Sequence, residues 1–324
     1  MSTHGRDETA SGRWAHRLAV LTALLAIPLV IFGGSVTTLG AGLAVEGWLI
    51  AEGHFMVLLP IDTWIDDTHR FVEHVHRLFG TAVGLAAIGA SVAAWRAARS
   101  GARSRGSAWL ALAALLAVCV QGIIGGQRVE LFSDSLAFLH GALAQGVLAT
   151  LFASALALSP RWVATEGARR GPTPRGFAFL AVAVTAFQIV LGAAYRHALR
   201  PDDAPGAAGL LYGHLFVALI VLGVLSMFAG KLKRAAAEHD ERPLLEGQAR
   251  RIHVLLGIQI LLGLLAWMGY RPGAIAPLEW ALSVAHVLVG GLLLAQVVAA
   301  AMWSARLGHR EIHARTTADV GGAA

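Results

Sequence analysis

Charged side chains are scarce in this sequence: Asp, Glu, Lys and Arg make up only 14% of its 324 residues. Apolar types reach 56%, and the 37 glycines add about a further 11%, whereas soluble domains hold about 45–50% on a similar count. A water-soluble monomer needs more charge to cover its surface, and disordered chains are more polar still. Both classes are excluded, and a lipid bilayer is the expected solvent.

Cysteine is almost absent, since Cys119 is the only one in the chain. An intrachain disulfide and a cysteine-based metal cluster are therefore both excluded. The net charge of +6 does not come from a basic patch, so no nucleic acid partner is expected. The first apolar run is too long for the hydrophobic region of a signal peptide, and we expect it to remain as a membrane span.

Long apolar runs are what the sequence has in abundance. Each of eight runs lacks Asp, Glu, Lys and Arg and is long enough to cross about 30 Å of hydrocarbon as a helix. None shows the alternation of a membrane barrel strand. The sequence therefore predicts an all-α membrane protein with eight spans, at residues 18–45, 78–95, 106–127, 135–160, 176–195, 204–230, 252–270 and 280–305.

Arginine and lysine are unevenly distributed between the segments that connect these spans. With both termini in the cytoplasm, the cytoplasmic segments hold 20 of the 26 basic residues and the outer segments hold 6. A bias of this size in mostly short loops sets the orientation of a membrane protein. We expect cytoplasmic termini and a multi-pass protein of a bacterial inner membrane.

The spans form two pseudo-symmetric four-helix halves that repeat one another. Because four is an even number, both halves begin on the same side, which gives a parallel repeat. The predicted parts are a cytoplasmic tail, a first half, a cytoplasmic linker, a second half and a second tail, at residues 1–17, 18–160, 161–175, 176–305 and 306–324.

A Gln-x-x-x-Gly pattern recurs in the third, fifth and seventh spans. In one interpretation it is a packing motif, because glycine lets helices approach closely and glutamine bonds to a neighbour. In the other it forms a polar wall that faces a cofactor. The three copies are Gln121/Gly125, Gln188/Gly192 and Gln259/Gly263.

Histidine recurs once in each even-numbered span, toward the outer side. A single membrane histidine is usually a packing residue, but four at a similar depth favour axial ligation of haem iron by neutral imidazoles in a helix bundle. Zinc is disfavoured because Glu73-His74-Val75-His76 lacks the order His-Glu-x-x-His. The predicted pairs are His76 with His140 and His214 with His286.

Glu73 lies three residues before His76 and so projects from the same helix face. It is either a catalytic carboxylate that stabilises developing positive charge or accepts a proton, or an interfacial carboxylate paired with Arg77 or the helix dipole. The few outer arginines are either ligands of haem propionates or solvated loop charges. They are Arg77, Arg128, Arg196 and Arg200.

Together these motifs resemble the haem A synthases. Glu73-His74-Val75-His76-Arg77 is similar to the Glu-x-x-His-Arg signature of that family, in particular of its mitochondrial and proteobacterial branch. The resemblance runs from the first span to the eighth, through the stretches 38–45, 121–129, 139–141, 188–192, 196–197 and 285–287, with His214.

Two departures from the family pattern stand in the first outer loop. Glu46-Gly47-Trp48-Leu49 replaces the usual Pro-Asp-Trp-Pro, which bears on substrate entry. Residues 46–72 lack the cysteine pair of some members, which excludes a thiol relay.

The resemblance implies an oxidoreductase acting on a CH group for cytochrome oxidase assembly. Such an enzyme oxidises a methyl group of haem O to the formyl group of haem A by successive hydroxylations and loss of water. It implies that His76 and His140 face the substrate haem, with Glu73 catalytic, and that His214 and His286 hold a resident haem b. A haem O synthase is the expected donor, membrane lipid surrounds the protein, and a homo-oligomer stays open.

Two other classes of function remain. A di-haem b-type electron-transfer cytochrome would use four equivalent histidines and no carboxylate, and a transporter could share the same repeat. The enzyme is favoured by an asymmetry: Glu-x-x-His-Arg occurs in the second span, whereas Leu211-Tyr212-Gly213 precedes His214 without a carboxylate.

Overall fold

The structure is a computed structural model that describes residues 10–166, 168, 171–199, 206–269 and 276–308. Eight of its helices are long and apolar enough to cross a membrane, which confirms an all-α membrane protein with eight spans. They are α1 Ala10–Thr38, α2 Thr68–Arg99, α3 Arg105–Glu130, α4 Asp134–Ala157, α6 Arg175–Ala198, α7 Ala207–Ala236, α8 Arg242–Gly269 and α9 Pro277–Leu307.

The remaining elements are short. Helix α5, Pro160–Ala164, follows α4. In the part of the chain described, β structure with named strands is limited to the hairpin of β1, Ile50–Ala51, and β2, His54–Phe55. Two single 3-10 turns, Met56–Leu58 and Ile61–Thr63, complete the connection from α1 to α2.

Some predicted span boundaries are wrong at the first two helices. The first span was placed at 18–45, but α1 starts at Ala10 and ends at Thr38. Helix α2 starts at Thr68, and the Asp67 side chain accepts hydrogen bonds from the backbone N–H groups of His69 and Arg70. A charge-free run measures the hydrocarbon layer, whereas a helix continues through charged residues until a cap or a turn ends it.

The predicted tails and linker are only partly described. Residues 10–17 belong to α1 rather than to a tail, and α5 lies at the start of the linker 161–175. Gly171 of the linker forms a β-bridge with Gly308 after α9. Residues 1–9, most of the tail 306–324, and Arg200 lie outside the described residues.

The long helices pack as two four-helix rings. In the first, α1 and α3 each contact both α2 and α4, so that α2 and α4 are diagonally opposite; in the second, α6 and α8 stand in the same relation to α7 and α9. Between the rings, α4 packs on α9, α1 on α9 and α4 on α6. A pseudo-twofold axis that maps α1 onto α6 and α4 onto α9 maps the α1–α9 contact onto the α6–α4 contact. It maps the α4–α9 contact onto itself.

Small residues let the first ring close tightly. Its buried core toward the start of α1 consists mainly of alanines, among them Ala15, Ala19, Ala90 and Ala94. Helices in lipid associate through such close backbone approach. The second ring has bulkier packing around Leu225, Phe228 and Trp303, near the ends of the helices away from its histidines. The end of the molecule where α1 ends and α2 begins is called the outer end below.

Candidate functional site

Each of the four predicted histidines lies against a glycine of the preceding long helix. A Cβ built on any of these glycines would lie 2.8–2.9 Å from Cε1 of the imidazole, which is closer than real Cβ atoms come. We call these glycines the glycine seats, because only a residue without a side chain leaves room for the ring. The pairs are Gly33 with His76, Gly125 with His140, Gly192 with His214 and Gly263 with His286.

Backbone carbonyls orient the two imidazoles of the first half. Nδ1 of His76 lies 3.0 Å from the carbonyl oxygen of Leu29, and Nδ1 of His140 lies 3.1 Å from that of Gln121. A carbonyl oxygen only accepts, so Nδ1 carries the proton in each ring. The lone pair of Nε2 is then free to bind a metal.

Glutamine amides select the same tautomer in the second half. Nε2 of Gln188 lies 3.2 Å from Nε2 of His214, and Nε2 of Gln259 lies 3.3 Å from Nε2 of His286. An amide NH₂ only donates, so each imidazole Nε2 is an acceptor. Nδ1 of these two rings has no hydrogen bond to a described residue. In the second half the lone pair of Nε2 is therefore occupied by the glutamine amide, which a metal ligand role would have to displace, whereas Nε2 of His76 and His140 has no such contact.

The rings meet in the predicted pairs, across the diagonal of each four-helix ring. Ring centroids are 6.2 Å apart for His76 and His140 and 6.3 Å apart for His214 and His286. Metal–imidazole bonds of about 2 Å, with each nitrogen roughly 1.2 Å from its ring centre, give about 6.4 Å for two imidazoles on opposite sides of one metal. The spacing fits haem iron held by two axial imidazoles.

The donor set of each pair consists of two imidazoles. Among the residues that the structure describes, no group of three His, Cys, Asp or Glu side chains could hold a metal ion. Two imidazoles alone do not complete a structural zinc site, which has four protein ligands. In haem the porphyrin supplies the equatorial ligands, and two axial imidazoles are sufficient.

The Gln-x-x-x-Gly motif packs neighbouring helices together, as the first of its two interpretations holds, whereas a polar wall that faces a cofactor stays a prediction. Its glycine seats the imidazole, and its glutamine bonds to the same helix, since the amides of Gln121 and Gln188 donate to the backbone carbonyls of His140 and His214. The motif therefore packs two helices together and holds the imidazole in place at the same time. The sequence analysis missed the fourth seat, Gly33, because Leu29 stands where the glutamine would be.

Glu73 is buried, with 3% of its side chain exposed, and both of its oxygens are bonded. Oε1 pairs with Nη2 of Arg77 at 2.8 Å, and Oε2 accepts from the backbone N–H of Val45 at 2.9 Å. Arg77 also donates to the carbonyls of Val45 and Gly47. The predicted ion pair is present, and Arg77 is not a solvated loop charge.

These bonds hold down residues 42–48, which we call the outer strap. The strap runs from α2 to α3: Arg70 donates to the carbonyl of Ala44 on one side, and Arg128 donates to that of Gly42 on the other. Trp48, at the end of the strap, packs on Gly126, where a Cβ would overlap the indole ring. Charged side chains of α2 and α3 therefore fix this loop beside the first histidine pair.

The strap accounts for part of the departure from the family pattern. Gly47 has a φ of 79°, and a Cβ there would collide with the carbonyl oxygen of Ile50. This conformation favours glycine. Trp48, which both versions of the motif share, is the residue that contacts α3. The two versions of the motif therefore differ on either side of a tryptophan that both contain, and in this chain that tryptophan packs on α3.

A family model described as a cytochrome oxidase assembly protein matches residues 16–199, more than half of the chain. The chain belongs to that family. This confirms at the family level the resemblance to haem A synthases. A comparison with curated proteins found no match.

The region that matches the cytochrome oxidase assembly family contains the first ring and α6. It includes Glu73, His76 and His140, whereas His214 and His286 lie beyond it. The second half shares two features with the matched region: glycine seats, and a histidine pair on diagonally opposite helices.

Arg196 of this family member joins the two halves. From the end of α6 it donates to the carbonyl oxygen of Gly34 and to Oγ1 of Thr38, both in α1. Gly34 follows the glycine seat of His76, and Val284 of α9 lies 3.5 Å from where its Cβ would be. Arg196 is therefore partly buried in a contact between halves and is not a fully solvated loop charge.

We expect Arg196→Leu to lower thermal stability. It removes charge-assisted bonds to buried oxygens, each worth about 1.5–3 kcal/mol. The midpoint of thermal unfolding in detergent measures the effect. Arg250→Leu, at an exposed position of α8, is the matched control, and equal midpoints for the two variants would contradict the assigned contact.

His74 belongs to neither histidine pair and packs inside the protein. Its side chain is 1% exposed and lies under Trp64, with ring centroids 4.6 Å apart. His197 lies at the contact between halves, 6.1 Å from the ring of Phe138 in α4. Sequence reasoning assigned neither residue, and the pairing of His74 with a loop tryptophan has no periodic signal.

Proposed function

We propose that this protein is a haem A synthase. It would oxidise a methyl group of haem O to the formyl group of haem A by successive hydroxylations and loss of water, as an oxidoreductase acting on a CH group. The observation that carries the proposal is the presence of two similar histidine pairs, of which the first has a buried carboxylate, Glu73, one helical turn from His76. Membership of the cytochrome oxidase assembly family supports it.

The two pairs divide the work in this proposal. His76 and His140 hold the substrate haem O, and His214 and His286 hold a resident haem b, which supplies one-electron redox chemistry when bound. The carbonyls of Leu29 and Gln121 keep the substrate-side imidazoles in the metal-binding tautomer. The membrane is a bacterial inner membrane, and a haem O synthase delivers the substrate.

Glu73 provides negative charge at the substrate end. Its Oε1 lies 2.8 Å from Nη2 of Arg77, and burial strengthens the field that a carboxylate exerts on its surroundings. Removal of one proton and two electrons from a methyl group conjugated with the macrocycle, with the electrons passing by way of the resident haem to an external electron acceptor, would build positive charge on that carbon before water adds. A fixed carboxylate stabilises such a charge because it needs no reorganisation.

A di-haem b-type electron-transfer cytochrome is the second candidate. The observation in its favour is that all four histidines have equivalent glycine seats. The carboxylate at the first pair is the feature that electron transfer alone does not require. In α7 of the second half, Leu211 stands three residues before His214, at the position that Glu73 holds before His76.

Product analysis separates the two functions. The protein is co-expressed with a source of haem O, and the extracted haems are resolved by chromatography. A haem A synthase yields haem A, whereas an electron-transfer cytochrome yields only haem O and haem b. A host that carries the haem O source and an empty plasmid is the control.

We expect His214→Ala or His286→Ala to remove the low-spin b-type spectrum of the purified protein, because each deletes one axial ligand. Reduced-minus-oxidised absorbance measures the loss. His253→Ala is the control, since His253 is exposed and bonds to the backbone of its own helix. An unaltered spectrum in the paired-histidine variants would refute the resident site.

A further inference from the structure

The loop between α1 and α2 is apolar on two faces. Its inner face packs around Val45, Ala51, Met56 and Leu59, with Trp64 against them. A second set of large apolar side chains is 37–71% exposed, and we call it the outer apolar face: Leu49, Ile50, Phe55, Val57, Leu58, Ile61 and Ile65.

The loop is anchored on a membrane span by a tryptophan. Trp48 rests on Gly126 of α3, the residue after the glycine seat of His140. The hairpin of β1 and β2 starts two residues later, and Leu49 and Ile50, which follow the anchor directly, are exposed. The outer apolar face therefore begins next to the point where the loop contacts α3.

Water is an unfavourable neighbour for this face. Seven large apolar side chains in one short segment make a patch of the kind that marks a membrane or protein contact. The same segment carries exposed carboxylates, among them Glu52, Asp62 and Asp66, and no lysine or arginine. Apolar anchors with neighbouring polar groups and tryptophans are typical of an element at a membrane interface.

The hairpin is held in place by a polar contact on its turn. Arg70 of α2 donates to Glu52 at 2.7 Å, and this bond holds the pKa of the Glu52 carboxyl below its ordinary value. The carboxylate form therefore prevails at neutral pH, and the contribution of the pair is lost as the pH falls through the lowered pKa. A fixed loop presents its apolar face in one direction.

We propose that residues 49–65 form an interfacial element whose outer apolar face inserts into the lipid leaflet on its own side of the membrane. Lipid is the occupant because the face begins at the residue after Trp48, which rests on the membrane span α3, and because the segment connects the ends of two membrane spans. The inserted side chains are those of the outer apolar face, and the carboxylates of the segment stay in water.

Site-directed spin labelling tests this directly. Cys119 is the only cysteine, and it is exposed on α3 within a span, so a label there is the lipid reference. Leu58→Cys and Ile61→Cys report the outer apolar face, and Asp62→Cys is the matched control in the same turn; Cys119→Ala is combined with every introduced cysteine. Glu238→Cys, exposed between α7 and α8, is the water reference.

The labelled proteins are placed in phosphatidylcholine vesicles, and collision of each nitroxide with oxygen and with a water-soluble nickel chelate is measured. We expect the oxygen-to-nickel ratio at Leu58→Cys and Ile61→Cys to approach that at Cys119 and to exceed that at Glu238→Cys, because oxygen is apolar and concentrates in lipid whereas the nickel chelate stays in water. Asp62→Cys should resemble the water reference.

Two results would overturn the proposal. Labels on the face that collide freely with the nickel chelate lie in water. Labels shielded from both reagents lie against protein, such as a second copy of this chain. Phe55→Cys and Ile65→Cys, at the two ends of the outer apolar face, give the same comparison if either central variant fails to fold.

Discussion

Glu73→Ala is expected to abolish haem A formation while the b-type spectrum of the second half stays intact. The substitution removes the buried carboxylate and both of its bonds, to Arg77 and to the backbone of Val45. Loss of one electrostatic stabiliser costs about 10²–10³ in rate for comparable groups. Chromatography of the extracted haems measures the product, and the absorbance of the purified protein measures the resident site.

Glu73→Gln separates the charge of this residue from its contacts. The amide keeps an acceptor for Val45 or Arg77 but carries no negative charge. We expect loss of product in Glu73→Gln as well, whereas Glu52→Gln, which changes a half-exposed carboxylate of the hairpin, should retain it. Haem A in extracts of Glu73→Ala would remove Glu73 from the mechanism.

Gly192→Val is expected to eliminate the low-spin signal without touching a ligand. Even a Cβ at this glycine seat would come within 2.9 Å of Cε1 of His214, and the two further methyl groups of valine add to the crowding. The ring must leave its place, which moves Nε2 away from the iron. Reduced-minus-oxidised absorbance reports the change.

Gly223→Val is the matched control for the seat. Gly223 lies in α7, two turns from His214, and a Cβ there would meet no atom within 4 Å. Helix propensity and side-chain volume change equally in the two variants, so only the contact with the imidazole differs. Equal spectra for Gly192→Val and Gly223→Val would show that the seat does not position the ligand.

Sequence reasoning was strongest where periodicity and composition carry the information. The eight spans follow from long charge-free runs, and the histidine pairs follow from recurrence at one depth on alternate helices. The structure brings His76 to His140 and His214 to His286 as predicted. Whether these pairs hold haem stays a prediction, which the spectra of the histidine variants will test.

Other features have no signal in side-chain pattern. Glu73 and Arg77 bond to backbone groups of Val45 and Gly47, and every residue has such groups, so the outer strap was not predictable. Arg196 likewise binds a backbone carbonyl in α1. The hairpin of β1 and β2 follows a run that hydropathy extended to residue 45, which concealed the end of α1 at Thr38.

The glycine seats also bear on how such a chain arises. Every imidazole rests on the helix that directly precedes its own, so the smallest repeating module is a hairpin of one glycine-bearing helix and one histidine-bearing helix. Each hairpin enters and leaves on the same side of the membrane. Two successive duplications of one such hairpin would give four modules, and Leu29 sets the first apart because the other three have glutamine four residues before the glycine.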